Sequence, residues 1–376
     1  MNRNGIVIID KPEGWTSHDV VAKLRGALRG SVRGGTIRDG VLRGDTAPQK
    51  LSAAKNLRVG HGGTLDPMAT GVLPVFIGRA TRAAEFCENA EKEYIAGFMP
   101  GIVTDTQDIT GNVLSETEVT VTPEDLSAIL LRFTGAQKQT PPMYSAVKRD
   151  GKKLYELARQ GKEVPRESRD IFISSIELIE NEGSEGTVPG LSPGSAGPDS
   201  VLPPGNAGNT WTNPIFSPAR PVYTLRIVCS KGTYIRTLCH DIGAALGCGA
   251  TMSALRRLRA GAFTIDMAHT LDDVLAILSL RDHLVSPGDP SGASSKPSIT
   301  LTDSVNDIIL PVDSIFSQLP SIVLNDADAR KAKNGALRSI QGASDGKYRF
   351  YAPDGEFLLL GEVRNNGMKT IKSFFT

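Results

Sequence analysis

The chain has 376 residues, 40% of them hydrophobic, with 42 Lys+Arg against 41 Asp+Glu and a formal net charge of +1. That length and apolar content suit a globular protein of two or three domains and exclude a fibrous or low-complexity chain. No run of about 18 apolar residues and no charged leader with an apolar core is present, so no membrane partner is expected and the cytoplasm is the expected compartment. Cys87, Cys229, Cys239 and Cys248 form no CxxC pair and have no histidine at zinc-finger spacing, so they read as buried small apolar side chains in a reducing compartment.

In chain order, Ile6 to Ile9 reads as a buried strand closed by a turn at Asp10-Lys11-Pro12, where Lys11 and Pro12 are expected to brace the loops around them rather than to react. A helix follows, capped by Thr16 or Ser17, with Asp19 in its first turn and Val20, Val21, Leu24 and Leu28 on one face. From Lys23 to Arg58 nine Lys/Arg face two acids, a local basic field that suits a polyanion or a solvated surface. Residues 30–55 lose the periodicity and read as an insertion, as do 181–219 and about 284–300, rich in Gly, Pro and Ser. Lys92 to Val103 alternates as a strand; Thr122-Pro123-Glu124-Asp125 opens a helix reaching about Phe133. A basic loop from Tyr144 to Arg169 has a helical middle near Lys153 to Gln160. Val222 to Cys229 reads as a strand and Ile235 to Leu246 as a helix stopped by Gly247, after which Arg256, Arg257 and Arg259 add positive charge. Beyond Leu310, Tyr348 to Tyr351, the turn Pro353-Asp354-Gly355 and Phe357 to Val363 outline a small β-rich domain.

The most unusual stretch is VGHGGTLDPMATGVLP, residues 59–74. Its glycines at 60, 62, 63 and 71 satisfy neither GxxxxGK[ST] nor GxGxxG, so a phosphate cradle is not supported. The five histidines (18, 61, 240, 269, 283) are scattered, which leaves no metal-ligand cluster, and one acid is too few for a glycosidase pair. Two readings remain for Asp66. Pro67 holds it on extended or turn backbone while Gly60, Gly62 and Gly63 let the loop bend around a ligand, or Asp66 simply fixes a tight turn.

Five segments, GIVIIDKPEGWTSHDVV, HGGTLDPMATGVLPVFIGRATR, KEYIAGFMPGIVTDTQD, PPMYSAVKRDGKKLYELARQGKEVPR and CSKGTYIRTLCHDIGAALGCGA, occur in this order. Together they resemble the bacterial TruB-type tRNA pseudouridine synthases over roughly 5–29, 56–180 and 220–280, with weaker similarity from about 308 onward. The resemblance implies an α+β protein. A pseudouridine synthase catalytic domain over 1–309, with a mixed, mainly antiparallel sheet, would precede a PUA-like tRNA-binding β-domain over 310–376. It implies that the C1′–N1 bond of one uridine, position 55 of the tRNA T-loop, breaks, and that the base turns and rejoins through C5. No cofactor and no metal are implied.

By the same resemblance Asp66 is the catalytic acid, either nucleophile toward the sugar or base removing a sugar proton. Tyr94 stacks on the target base, Tyr234 and Arg236 line the pocket with Arg236 holding the carboxylate, and Leu255 forms an apolar wall. His61 fills the space of the flipped nucleotide, as an enzyme acting on a base inside a folded loop requires. Lys148, Arg149, Lys152 and Lys153 are expected to contact RNA phosphates. The expected partner is tRNA, gripped at T-arm and acceptor stem, by a monomer that needs no guide RNA. A guide-RNA-dependent synthase of the dyskerin type and a tRNA-binding folding factor stand as alternatives. Many relatives carry HTGTLDP or HTGALDP, so Gly62 is expected to loosen the backbone beside the catalytic turn without abolishing activity.

Overall fold

The computed structural model describes residues 4–30, 57–179, 221–284 and 308–375. But for an end residue, the insertions expected at about 30–55, 181–219 and 284–300 lie outside the described residues. The chain divides into two units, one of residues 1–66, 72–88 and 260–376, the other of 67–71 and 89–259.

The first unit starts from β1 (Gly5–Lys11), whose GIVIIDK run is buried on both faces as an interior strand requires. It continues through Lys11, so the turn expected at Asp10-Lys11-Pro12 begins later. Helix α1 (Ser17–Gly30) is capped by Thr16: Asp19 N donates to Thr16 Oγ1 at 3.1 Å and Thr16 N donates to Asp19 Oδ2 at 2.9 Å. Its Val20, Val21, Leu24 and Leu28 join a core with Val7 and Ile9, with Leu73, Val75 and Ile77 of β3 (Thr70–Ile77), and with Leu271, Val274 and Leu278 of α6 (Leu271–Leu284). β2 (Val59–His61) pairs antiparallel with β3, and β14 (His269–Thr270) pairs parallel with β1. The unit also holds α2 (Ala84–Asn89) but for its last residue, and β13 (Phe263–Thr264).

A separate four-stranded sheet ends this unit: β15 (Ser321–Val323), β16 (Gly346–Tyr351), β17 (Phe357–Arg364) and β18 (Gly367–Ser373), in that order. β15 and β16 run parallel and the other pairs antiparallel. Asn365 and Asn366, both at positive φ (49° and 61°), close the last hairpin as a primed turn demands. With α7 (Asp326–Lys333) the sheet encloses its own core of Leu324, Phe350, Leu358, Leu359 and Val363. A second cluster joins Phe316, Leu360 and Phe374 to Ile6, Ile8 and Phe76.

In the second unit the strand order is β12 (Ala250–Ala260), β4 (Lys92–Pro100), β11 (Tyr223–Cys229), β10 (Arg169–Ile179), β7 (Gly135–Gln139). The registers of β4 with β11, β11 with β10 and β10 with β7 are antiparallel. Thr70 and Gly71, the first residues of β3, pair parallel with Arg256 and Arg257. Gly71 must be glycine: its φ is +98°, and a Cβ there would lie 2.2 Å from the carbonyl oxygen of Arg257. The strand expected over Lys92 to Val103 is two strands, because Gly101 (φ 82°) turns the chain into a hairpin of β5 (Ile102–Thr104) and β6 (Val113–Glu116). Helix α3 (Pro123–Leu130) has the reciprocal Thr122–Asp125 cap its sequence announces, and a 3-10 turn carries it to Phe133.

Within the expected basic loop, β8 (Lys148–Arg149) and β9 (Lys152–Lys153) form a two-residue hairpin followed by α4 (Leu154–Ala158). Helix α5 (Ile235–Leu246) stops at Gly247, left-handed at φ 80°, as the sequence predicts. The strands 70–77, 169–179 and 250–260, by contrast, were not legible from period or propensity.

Candidate active site

Asp66 lies in the first unit, on the loop between β2 and β3, of which the residues from Pro67 onward fall in the second. Ser17 does not cap α1; it holds this loop. Its Oγ accepts the Leu65 N–H at 2.8 Å and donates to the Leu65 carbonyl at 3.2 Å, both bonds buried. The residue before Asp66 is thereby fixed, and Pro67 restricts the residue itself. His61, at the end of β2, packs its ring against His18 of α1 with centroids 5.2 Å apart. Lys11 is fully buried and donates to the carbonyls of Pro12 (2.9 Å) and Trp15 (2.6 Å), so it braces the entry to α1.

Gly62 behaves differently from expectation. It is buried, its N–H donates to Pro74 O at 2.9 Å, and a Cβ there would meet Phe76 Cε2 at 2.7 Å and Cys87 Cβ at 2.8 Å. The missing side chain admits a close approach of Phe76 and Cys87, so the backbone is packed rather than loosened.

The second unit holds Tyr94, Leu255, Tyr234 and Arg236. Tyr94 on β4 stands opposite Ile227 of β11 at 8% exposure, and Leu255 on the adjacent β12 is 6% exposed. Tyr234 is the extended residue preceding α5, and Gln139 at the end of β7 bonds both its N–H and its carbonyl. Arg236, in the first turn of α5, is buried rather than a surface cation. Its Nη1 pairs with Asp108 Oδ2 at 3.3 Å and its Nη2 donates to Tyr144 O at 2.8 Å. Asp108 is itself held by Thr106 Oγ1, Thr110 N and Thr110 Oγ1 at 2.8, 3.0 and 2.5 Å, which compensates its buried charge. Neighbouring Gln107, at φ 65°, accepts from Thr237 Oγ1 at 2.7 Å. Asp108 and Gln139 are not singled out by the sequence, and Ser17 stands out there only as a possible helix cap. Each lies within or beside a motif that does stand out, but only the folded backbone gives it a partner.

The hairpin brings Lys148 opposite Lys153 and Arg149 opposite Lys152, with Lys153 and Arg159 flanking the Tyr155 ring at 5.3 and 5.4 Å. Like charges placed directly across a strand pair are unfavourable on their own. Two arginines of β12 depart from expectation: Arg257 is buried at 1% exposure, and Arg259 pairs with Glu91 (3.0 Å) and Glu93 (3.2 Å), so the charge of Arg259 is taken up by acids. All four cysteines are buried; burial pushes the Cys229 thiol up to about 11 and the Cys239 thiol up to about 12, far from a nucleophile's range. Among the described residues no helix is long and apolar enough to cross a membrane, and no group of three His, Cys, Asp or Glu could hold a metal.

Comparison with known proteins bears on this arrangement. A chain of a crystallised Cbf5–Nop10–Gar1 complex superposes with a TM-score of 0.60 at 22% identity, over 99% of this chain and 85% of that one, which shows that the two share a fold. The tRNA pseudouridine synthase B of Syntrophomonas wolfei is 36% identical over 98% of this chain and 96% of its own length, and that of Azoarcus sp. is 36% identical over 97% and 93%. Residues 49–189 match the N-terminal domain of the TruB family of pseudouridylate synthases, and 236–317 match the C-terminal domain of tRNA pseudouridylate synthase B. The chain belongs to the TruB family of pseudouridylate synthases.

Proposed function

We propose that the protein isomerises a uridine of tRNA to pseudouridine, at position 55 of the T-loop, without a guide RNA. The observation that carries this reading is the near full-length identity to proteins named tRNA pseudouridine synthase B. In this reading Asp66 supplies the catalytic carboxylate, and its seat between Ser17-bound Leu65 and Pro67 supports a role that needs a fixed acid. Tyr94 stacks on the flipped base and Leu255 walls the apolar side. Tyr234 and Arg236 shape the pocket, and His61 takes the place of the displaced nucleotide. The reaction is an internal transfer: the C1′–N1 bond breaks, C1′–C5 forms, the C5 proton leaves and N1 of the product carries a proton.

Lys148, Arg149, Lys152 and Lys153 contact the phosphates of the T-arm, and residues 310–376 act as a domain that touches the acceptor stem. The protein works as a cytoplasmic monomer. The test is incubation with unmodified tRNA transcript alone, followed by mapping of pseudouridine. Conversion at position 55 is expected, and Asp66→Asn is expected to yield none; normal turnover by that variant would sink the assignment. A requirement for added guide RNA would turn the reading toward a guide-dependent synthase.

A further inference from the structure

Gln139, the last residue of β7, is 4% exposed, with its amide turned onto the backbone of Tyr234. Its Oε1 accepts the Tyr234 N–H at 2.8 Å and its Nε2 donates to the Tyr234 carbonyl at 3.0 Å. Those partners settle which end of the amide points where, since an N–H needs an acceptor and a carbonyl a donor. A side-chain amide that closes both bonds imitates a neighbouring strand, at an extended residue (φ −97°, ψ 108°) that precedes α5 and whose own side chain makes no capping bond to the helix. Five residues further on, the Tyr144 carbonyl accepts from Arg236 at 2.8 Å. The short stretch Gln139-Thr140-Pro141-Pro142-Met143-Tyr144 thus ties down both ends of the Tyr234-Ile235-Arg236 turn, and two consecutive prolines keep it stiff.

We propose that Gln139 is a positioning residue of the isomerisation. It acts through Tyr234 and, with the Tyr144 carbonyl, sets the placement of Tyr234 and Arg236. The inference rests on the reading of those two as residues of the reaction. A group held for chemistry tolerates little displacement, so loss of the clamp falls on the rate of the chemical step rather than on the capture of tRNA.

The experiment measures single-turnover pseudouridine formation and tRNA affinity for the full chain. Gln139→Met keeps the volume and removes both bonds; about a tenfold slower step with unchanged tRNA affinity is expected. Gln139→Glu keeps the acceptor for the N–H but sets a carboxylate against the Tyr234 carbonyl. Once protonated it again donates, and burial beside a carbonyl raises its pKa. The rate of this variant relative to the unmodified protein is therefore expected to climb as pH falls from about 8 to about 6, a signature that a merely structural role would not give. Wild-type rates from Gln139→Met, a loss confined to tRNA affinity, or a flat ratio for Gln139→Glu would each overturn the proposal. Should Gln139→Met fail to fold, the pH dependence of Gln139→Glu decides alone. Tyr234→Ala separates the two levels. Wild-type conversion by it refutes the role of Tyr234 and the clamp together, whereas a slow Tyr234→Ala beside a normal Gln139→Met refutes the clamp only.

Discussion

Two side chains placed by the fold, Ser17 and Gln139, each close two bonds onto the backbone of one residue, Leu65 and Tyr234 respectively. Backbone clamps of this kind are invisible in sequence, because Ser and Gln serve in many turns and caps; Ser17 reads equally well as a helix cap. The same holds for Asp108, whose acid is unremarkable until Arg236 arrives 128 residues later at 3.3 Å. Gly62 gives a prediction at this scale. In Gly62→Thr the new Cβ would meet Phe76 and Cys87 well inside contact distance. A loss of about 1–3 kcal/mol in urea unfolding is expected from overpacking, partly relieved when Cys87→Ala is added. Additive effects of the two substitutions would show that the loop moves freely at this point.

The elements read best from sequence were those with local signals. α3 and α5 were placed to within a residue or two because a reciprocal Thr–Asp cap and a left-handed Gly247 are chemistry of the helix itself. β10 and β12 escape a reading of period because their polar and charged residues are reconciled by strands far off in the chain, as when Arg256 of β12 bonds Thr70, and β3 escapes it because Gly71 and Pro74 interrupt its apolar run. The basic hairpin of β8 and β9 makes a prediction of opposite signs for stability and binding. Replacing Lys148, Arg149, Lys152 and Lys153 by Gln removes like charges facing each other, so the melting temperature is expected to hold or rise. Binding of tRNA is expected to weaken, with the slope of log affinity against log salt reduced by about 3. An unchanged salt slope would remove the hairpin from the RNA contacts.

At the scale of the molecule, a net charge of +1 conceals the way charges are sorted. In the second unit Arg259 lies between Glu91 and Glu93, and Arg226 also pairs with Glu93. The Ser174 hydroxyl and Arg259 hold the Glu91 carboxyl below its ordinary value of 4.5, and the two arginines hold Glu93 below it against the opposing effect of burial. A carboxyl depressed in the folded state stabilises fully above its unfolded value and loses that contribution as pH falls through the folded one. Arg259→Gln is therefore expected to lower the melting temperature most above about pH 5 and progressively less toward pH 3, where wild type and variant converge. A difference independent of pH would show that the arginine acts by packing alone. The chain by itself determined the helices with caps, the turns, the class of fold through five ordered motifs, and the nomination of Asp66, Tyr94, Tyr234 and Arg236, since each depends on neighbours in sequence or on motif order. The tertiary structure decided what holds those residues: Ser17 on Leu65, Gln139 on Tyr234, Asp108 on Arg236, and the close seat of Gly62. The reason is physical, for a buried polar group takes whichever partner the fold brings within about 3 Å, and no local pattern records a partner 48 to 128 residues away.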